Sequence, residues 1–258
     1  YLGFKNNQFF DKYAFVVDKV GIDKDYKRLV TSGFLHVNIL HLVLNMLTLI
    51  IFSEPLEAVF GPACFLSIYF GSLLGGNLAA WYMHRNHGNY SAVGASGAIS
   101  GVVFASIVLF PQMGIGLLGM PLYLPSWLFG LLYVLFTIFG IKSQSDNIGH
   151  EAHLGGGLIG LVLAIAFEPD IIYINYLPIL FILTPTLFFI YLILRKPEIL
   201  MIDNKKARAE KFLSIEDKYN HNKKRKQEEL DRLLDKINKK GIDSLSEKEK
   251  NRLDELSQ

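Results

Sequence analysis

Six long apolar runs occupy the middle of this 258-residue chain, and they restrict its fold more than any other feature. Each run has 16 to 26 residues, which suits the roughly 17–25 helical residues that cross a hydrocarbon core about 30 Å thick. The runs are Val37–Ser53, Ala58–Met83, Ser96–Met113, Tyr123–Ile141, Ala152–Phe167 and Ile171–Leu194. The sequence therefore predicts an all-α polytopic membrane protein embedded in a lipid bilayer.

Charged residues are scarce within this region and abundant after it. Only eight of the 158 positions from Val37 to Leu194 are Asp, Glu, Lys or Arg, whereas 32 of the 64 positions from Arg195 to Gln258 are. The contrast predicts a membrane body followed by a solvated tail, which the net charge of +2 conceals. The pI of about 8.5 gives no support to a nucleic-acid partner, and we expect none. One cysteine, Cys64, excludes an internal disulfide.

Four segments are predicted from these patterns. Residues 1–35 mix polar and aromatic side chains, and we expect a loop on the membrane surface. Residues 36–168 are predicted to form the membrane core, and residues 171–195 an additional transmembrane helix. Residues 196–258 are predicted to form a charged, soluble helical tail.

The last two segments carry local signals of their own. Pro178 and Pro185 are expected to kink the additional helix. In the tail, apolar side chains recur at helical spacing; they are Leu230, Leu233, Leu234 and Ile237. Ser244 or Ser246 is predicted to cap a second tail helix. A solvated surface is favoured over a partner-binding face for this tail.

Polar side chains in the apolar runs are costly in a bilayer, so each needs a reason. His36 lies at the mouth of the first run, and His41 and Asn45 follow one helical turn apart on a shared face. Ser96 opens the third run, and His153 lies at the start of the fifth. Singly, each could be a helix cap or an interhelical hydrogen bond. Because successive helices alternate in direction, however, all five share one level of the membrane.

Together these residues have the composition of an acyl-transfer site. A serine, a histidine that can take its proton and additional donors for an oxyanion are its components. No carboxylate within the membrane completes a triad, and Asp146 and Glu151, which flank His153, are expected to be surface residues. No metal or cofactor is expected.

Two G-x-x-x-G pairs predict how Ser96 and His153 could meet. Gly97 and Gly101 follow Ser96, while Gly156 and Gly160 follow His153. This spacing clears one helix face, so that two backbones can approach closely. If these faces pack together, the hydroxyl and the imidazole come within hydrogen-bond reach. The G-x-S-x-G elbow of α/β-hydrolases is excluded, because its last glycine is replaced by Ala98 and no strand precedes it.

Five motifs together resemble the rhomboid family of intramembrane serine proteases. They are R-x-x-T-S-x-F-x-H from Arg28 to His36, H-x-x-x-N-M from His41 to Met46, E-x-x-x-G from Glu57 to Gly61, GASGAISG over 94–101, and A-H-x-x-G-x-x-x-G over 152–160. Their order and spacing agree with the family over about half of the chain. The resemblance implies a rhomboid-like helical bundle with a six-helix core. Because the chain begins with Tyr1 rather than Met, the family's first helix is expected to precede it.

The resemblance also implies a role for each residue. Ser96 would be the nucleophile and His153 its general base. The oxyanion hole would comprise His41, Asn45 and Gly94, beside the Ser96 backbone N–H. Structural support is implied for Arg28, His36 and Glu57.

The implied function is an intramembrane serine endopeptidase that cleaves transmembrane-segment substrates in a water-filled cavity. The resemblance places its active site on the extracytoplasmic side of a bacterial cell membrane. The positive-inside tendency opposes this, since most Lys and Arg share the level of Ser96. The alternatives are an inactive rhomboid-like adaptor that binds client helices and a transporter lined by the polar residues. The oligomeric state and the side of the tail stay open.

Overall fold

The computed structural model describes residues 2–116, 123–143 and 148–195, and in the tail residues 227, 229–238, 244–246, 249–250 and 252–253. The chain divides into two compact units, Tyr1–Asn204 and Lys205–Gln258. The described part of the first unit consists of helices and two small two-stranded sheets.

The N-terminal segment is folded, although a surface loop was expected there. Its elements are α1 (Leu2–Lys5), α2 (Asn7–Tyr13), β1 (Phe15–Val16), α3 (Val17–Gly21), α4 (Arg28–Thr31) and a 3₁₀ turn (Ser32–Phe34). The reason is burial: Phe15, Val17 and Leu29 pack in one apolar cluster with Ala80 and Ala152 of the bundle. The segment is therefore held against the helices that follow it.

The first two apolar runs form one element, α5 (Ile39–Met83), of 45 residues. A straight helix of that length would extend about 67 Å, more than twice the membrane's hydrocarbon thickness. At Gly61 the backbone leaves the helical region, with φ 73° and ψ 169°, a conformation that suits glycine. The chain doubles back at this glycine. The evidence is that Asn77, near the end of α5, donates to the Ser32 hydroxyl, which precedes the start of α5, at 3.1 Å. The turn therefore lies three residues inside the second predicted run, Ala58–Met83, whereas the break had been expected at residues 54–57.

The remaining elements of the first unit follow in chain order. They are β2 (Ser91–Ala92), α6 (Ser96–Leu109), β3 (Gly114–Gly116), β4 (Tyr123–Pro125), α7 (Ser126–Ser143), α8 (His150–Phe167), α9 (Ile171–Ile174) and α10 (Tyr176–Arg195). β1 pairs antiparallel with β2, and β3 with β4. Within the described residues, α5, α7, α8 and α10 are long and apolar enough to span a membrane. The prediction of an all-α polytopic membrane protein is confirmed.

The last apolar run is interrupted, where a single kinked helix was expected. Asn175 separates α9 from α10, and its side-chain amide donates to the carbonyls of Val108 at 2.8 Å and Leu109 at 3.3 Å. Those carbonyls end α6 and have no partner within their own helix. Pro178 lies in the first turn of α10, where proline is tolerated, and Pro185 lies inside the helix.

The helix that begins at Ser96 is short and enclosed by protein. α6 has 14 residues, and all twelve from Gly97 to Val108 are buried. It extends about 21 Å, less than the hydrocarbon thickness of about 30 Å. A helix this short cannot reach both membrane surfaces. If its C-terminal end lies at one surface, Ser96 lies below the other.

The described tail residues contain helical segments, as predicted. Residues 229–238 are helical, and Leu233 and Leu245 are buried. Ser246, rather than Ser244, caps the next helix: its Oγ accepts from the Glu249 backbone N–H at 3.4 Å, and Glu249 accepts from the Ser246 N–H at 2.8 Å. Hydrogen bonds from Lys236 and then Ser246 lower the pKa of Glu249 to about 2.

Candidate functional site

Ser96 and His153 lie in hydrogen-bond contact. Ser96 is the first residue of α6, and His153 lies in the first turn of α8. The distance from Ser96 Oγ to His153 Nε2 is 2.7 Å. When the other ring nitrogen carries the proton, the serine hydroxyl donates to Nε2, which is the arrangement that a general base requires. Both residues are half-buried.

Glycine contacts between α6 and α8 produce this proximity. A Cβ added to Gly101 would lie 2.8 Å from the carbonyl oxygen of Gly156, and one added to Gly97 would lie 3.3 Å from that of Ala152. A Cβ on Gly160 would overlap the backbone of Gly101. The two G-x-x-x-G faces therefore meet, and backbone packs on backbone immediately beyond the dyad.

A third glycine face, on α5, was missed in the sequence. A Cβ on Gly76 would approach the Ala152 carbonyl closely, and one on Gly155 would lie 3.2 Å from the Gly75 carbonyl. The signal was present, because Gly71 and Gly75 in GSLLGGN form another G-x-x-x-G pair. α8 is thus held between α5 and α6.

His41 and Gly94 lie beside the serine hydroxyl. Gly94 has φ 128°, which disfavours any side chain, and a Cβ built there would lie 2.8 Å from His41 Cε1 and 3.7 Å from Ser96 Oγ. Its own amide donates to the carbonyl of Ser32 at 3.0 Å. Gly94 therefore supplies space and backbone shape at this point, whereas an oxyanion-hole role was expected for it.

Asn45 presents a buried donor one turn beyond His41. Its Nδ2 is buried and has no hydrogen-bond partner among the described residues. Such a donor is costly unless a partner reaches it. An amide on the face shared with His41 could donate to an oxyanion that forms at Ser96.

His36 lies immediately before α5 and supports His41. The two rings meet edge to face, with centroids 5.0 Å apart. Burial, and to a smaller degree the neighbouring His41, lower the pKa of His36 from 6.5 to about 4. His36 is consequently neutral at physiological pH and packs against His41 without charge repulsion.

Arg28 ties the N-terminal segment together. Its Nη1 donates to the carbonyls of Asp11 at 2.7 Å and Ala14 at 2.6 Å, and its Nε donates to Asp25 at 2.9 Å. Burial acts to raise the pKa of Asp25, but the hydrogen bonds from Arg28 and Lys27 hold it below its usual value. Arg28 therefore supports the segment that precedes His36.

Glu57 does not approach the dyad in the structure. It lies on α5 four residues before the Gly61 turn, and its side chain is exposed. Within the described residues it forms no hydrogen bond or ion pair. The support role implied for Glu57 has no contact that accounts for it.

The expectation that Glu151 is a surface residue was wrong, because the side chain is buried. Its carboxylate accepts from the His84 imidazole at 3.0 Å, with the Tyr90 hydroxyl 3.5 Å away. The rings of His84 and Tyr90 stack with centroids 3.6 Å apart. Asp146 lies outside the described residues.

Two neighbours of His153 were missed in the sequence. His150 is buried one turn earlier on α8, with its ring 6.1 Å from that of His153; the H-x-x-H spacing was its signal. Tyr133 of α7 faces the same imidazole, and it had no signal among the many aromatic residues of its helix. No group of three or more His, Cys, Asp or Glu suited to a metal occurs in the part of the chain that the structure describes.

Comparison with known families bears directly on this arrangement. The profile of the Rhomboid domain matches residues 23–169, more than half of the chain. The chain belongs to the rhomboid family. The matched region of this rhomboid contains every residue of the site, from Arg28 to Gly160. A separate match, over residues 213–258, is to a family of unknown function (DUF6576).

Relatives of this rhomboid occur in bacteria and in mitochondria. It is 32% identical over 148 residues to Rhomboid protein 1, mitochondrial, of Saccharomyces cerevisiae, covering 55% of the chain and 43% of that protein. It is 32% identical over 142 residues to the putative rhomboid protease YdcA of Bacillus subtilis, covering 54% and 66%. It is 29% identical over 170 residues to the rhomboid protease AarA of Providencia stuartii, covering 58% of each. The chain thus matches roughly half of each relative's length.

Proposed function

We propose that this rhomboid is an intramembrane serine endopeptidase that hydrolyses peptide bonds in the transmembrane segments of other proteins. The observation that carries the proposal is the 2.7 Å contact between Ser96 Oγ and His153 Nε2 at the N-terminal ends of two apolar helices. Relatives named as rhomboid proteases support it.

The chemistry follows from the positions of the two groups. His153 Nε2 removes the hydroxyl proton as Ser96 Oγ attacks the substrate carbonyl carbon, and the carbonyl oxygen becomes an oxyanion. His41, Asn45 and the Ser96 backbone N–H donate to that oxygen. The imidazolium then protonates the leaving amine, and an acyl-enzyme remains. Water, deprotonated by His153, attacks the acyl carbon and releases Ser96.

Substrate selection follows from the depth of Ser96. A regular helix shields its own carbonyls with internal hydrogen bonds, so the substrate must unwind where it meets the dyad. We therefore expect a preference for substrates with small or helix-destabilising residues in the part of the span that lies level with Ser96. Water must reach the acyl-enzyme through a polar opening at the same end.

For the cellular arrangement, we propose a bacterial cell membrane with Ser96 towards the extracytoplasmic side. This follows the family resemblance; long polar loops and tails are weak signals for the positive-inside rule. The test is a single cysteine at Asn89, in the exposed loop before Ser96, in a Cys64→Ser background. A membrane-impermeant maleimide should label it in intact cells, and labelling only after lysis would reverse the orientation.

The function is tested with the full chain in proteoliposomes that contain a single-span substrate. Wild type should cleave the substrate and react with a fluorophosphonate, and Ser96→Ala should do neither. The matched control is Ser67→Ala, which removes a hydroxyl from an exposed serine of α5. If wild type binds the span without cleaving it and resists the fluorophosphonate, the adaptor is the better description.

A further inference from the structure

The phenol ring of Tyr133 lies against the imidazole of His153. The ring centroids are 6.2 Å apart and the planes differ by 29°, which is an offset stack. Tyr133 belongs to α7, whereas the dyad is built from α6 and α8. A third helix therefore touches the proposed general base.

The hydroxyl of Tyr133 is linked by hydrogen bonds, through Ser100, to the backbone of Ser96, the proposed nucleophile. Tyr133 Oη lies 2.8 Å from Ser100 Oγ, and Ser100 Oγ donates to the carbonyl of Ser96 at 2.8 Å. A serine hydroxyl has one proton, which the Ser96 carbonyl takes, so Tyr133 must be the donor to Ser100. The result is a directed chain from Tyr133 through Ser100 to the backbone of Ser96.

The surroundings leave the Tyr133 ring little freedom. Phe104 meets it at 5.6 Å, edge to face, and Phe129 lies at 6.1 Å. The cavity that Tyr133 and His153 share is lined mainly by aliphatic side chains, and the hydroxyl of Thr186 on its wall already donates to Ile182 at 2.8 Å. Ser100, itself buried, is thus the acceptor that fixes the ring plane.

We propose that Tyr133 and Ser100 are positioning residues that hold the His153 imidazole in the orientation that aims Nε2 at Ser96. The hydrogen-bonded chain sets the plane of the phenol ring, and the phenol ring limits rotation of the imidazole. Turnover depends on this orientation, because small misplacements of a catalytic group lower the rate strongly. The proposal rests on the proposed function for its kinetic consequence.

The kinetic test uses the full chain in proteoliposomes with a cleavable span. Tyr133→Phe and Ser100→Ala should each lower kcat about fivefold, as expected for one hydrogen bond, with KM unchanged. The double variant should be no slower than the slower single variant, because both changes break one chain. Ser100→Thr retains a hydroxyl and should retain kcat.

Two control variants match these changes in chemistry. Tyr69→Phe removes a hydroxyl from a half-buried tyrosine of α5, and Ser67→Ala removes a hydroxyl that donates to the carbonyl four residues earlier. Both should keep wild-type kcat. If Tyr133→Phe and Ser100→Ala also keep it, or if their effects multiply, the positioning role is wrong.

A spectroscopic measurement tests the contact without turnover. The ¹⁵N shifts of the His153 imidazole, assigned with His153→Asn, should change in Tyr133→Phe and Ser100→Ala and stay constant in Tyr69→Phe. If wild type is inactive but the imidazole shifts change in these two variants, the proposed protease function is wrong and the positioning role stands. An active wild type whose shifts are unmoved would overturn the positioning role alone.

Discussion

The buried carboxylate of Glu151 and the half-buried imidazole of His84 form a pair with Oε1 and Nε2 3.0 Å apart. His84 ends α5 and Glu151 lies in the first turn of α8, so the pair joins the two helices at the level of the dyad. Tyr90, stacked on His84, belongs to the loop that leads into Ser96. The pair therefore connects α8, the helix that carries His153, to the loop that precedes Ser96.

Glu151→Gln should destabilise the protein strongly. Hydrogen bonds to charged groups typically contribute about 1.5–3 kcal/mol, the glutamine amide replaces only part of this contribution, and thermal unfolding in detergent measures the effect. Asp23→Asn, which breaks the exposed Lys19–Asp23 pair, is the control and should cost below about 1 kcal/mol. If the two variants lost equal stability, the Glu151–His84 pair would contribute no more than an exposed ion pair.

Asn45→Ala should slow turnover by about 10²–10³-fold, because one proposed oxyanion donor is lost. Unlike Ser96→Ala, it should still react with a fluorophosphonate, since the dyad is intact. Thr48→Ala, on the same helix, removes a hydroxyl that donates to the Leu44 carbonyl and should leave turnover unchanged. If Asn45→Ala turned over at the wild-type rate, Asn45 would not be part of the oxyanion hole.

Gly101→Ala should lower both stability and turnover. The added Cβ would overlap Ser72 and lie 2.8 Å from the Gly156 carbonyl, and overpacking of this kind costs about 1–3 kcal/mol. Because α6 and α8 would separate, the distance between the dyad groups would increase. The control is Gly114→Ala, where the nearest atom is 3.5 Å away. Thermal unfolding and cleavage rates check both variants, and an unaffected Gly101→Ala would mean that the helices tolerate a wider spacing.

Acid should weaken the protein through His36. The pKa of His36 is about 4 in the folded protein, whereas an imidazole in the unfolded chain has the ordinary value of 6.5. Between these two pH values the unfolded chain therefore binds more protons than the folded protein. The associated stability is complete above pH 6.5 and is lost as the pH falls towards 4. The unfolding temperature of wild type should fall across this window more steeply than that of His36→Gln. Parallel slopes in the two proteins would contradict the assignment.

Much of the fold could be predicted from hydropathy and spacing, because both are local properties. The apolar runs indicated the spans, and the glycines after Ser96 and His153 indicated which helix faces meet. A reversal between the first two spans was predicted at residues 54–57, but its position at Gly61 was not, since hydropathy is continuous across Phe60 and Pro62. The run ending at Leu194 was expected to be one kinked helix, because no local rule reveals that the Asn175 side chain within it bonds to the end of another helix.

The candidate site divides in the same way. Ser96, His153, His41 and Asn45 were named because polar groups stand out in apolar sequence. Glu151 was assigned to the surface because its partner lies 67 residues away in the chain. Contacts of this kind depend on helix rotation and tertiary packing, which a linear pattern does not record.

The enclosure of α6 has a consequence for biosynthesis. Ser96 is synthesised 57 residues before its hydrogen-bond partner His153, and the helix that it begins packs against α5 and α8 in the finished bundle. A growing chain that has been synthesised only as far as α7 therefore has a Ser96 hydroxyl without the His153 imidazole beside it. Under the proposed function, the serine gains its general base only after α8 has been synthesised and has packed against α6.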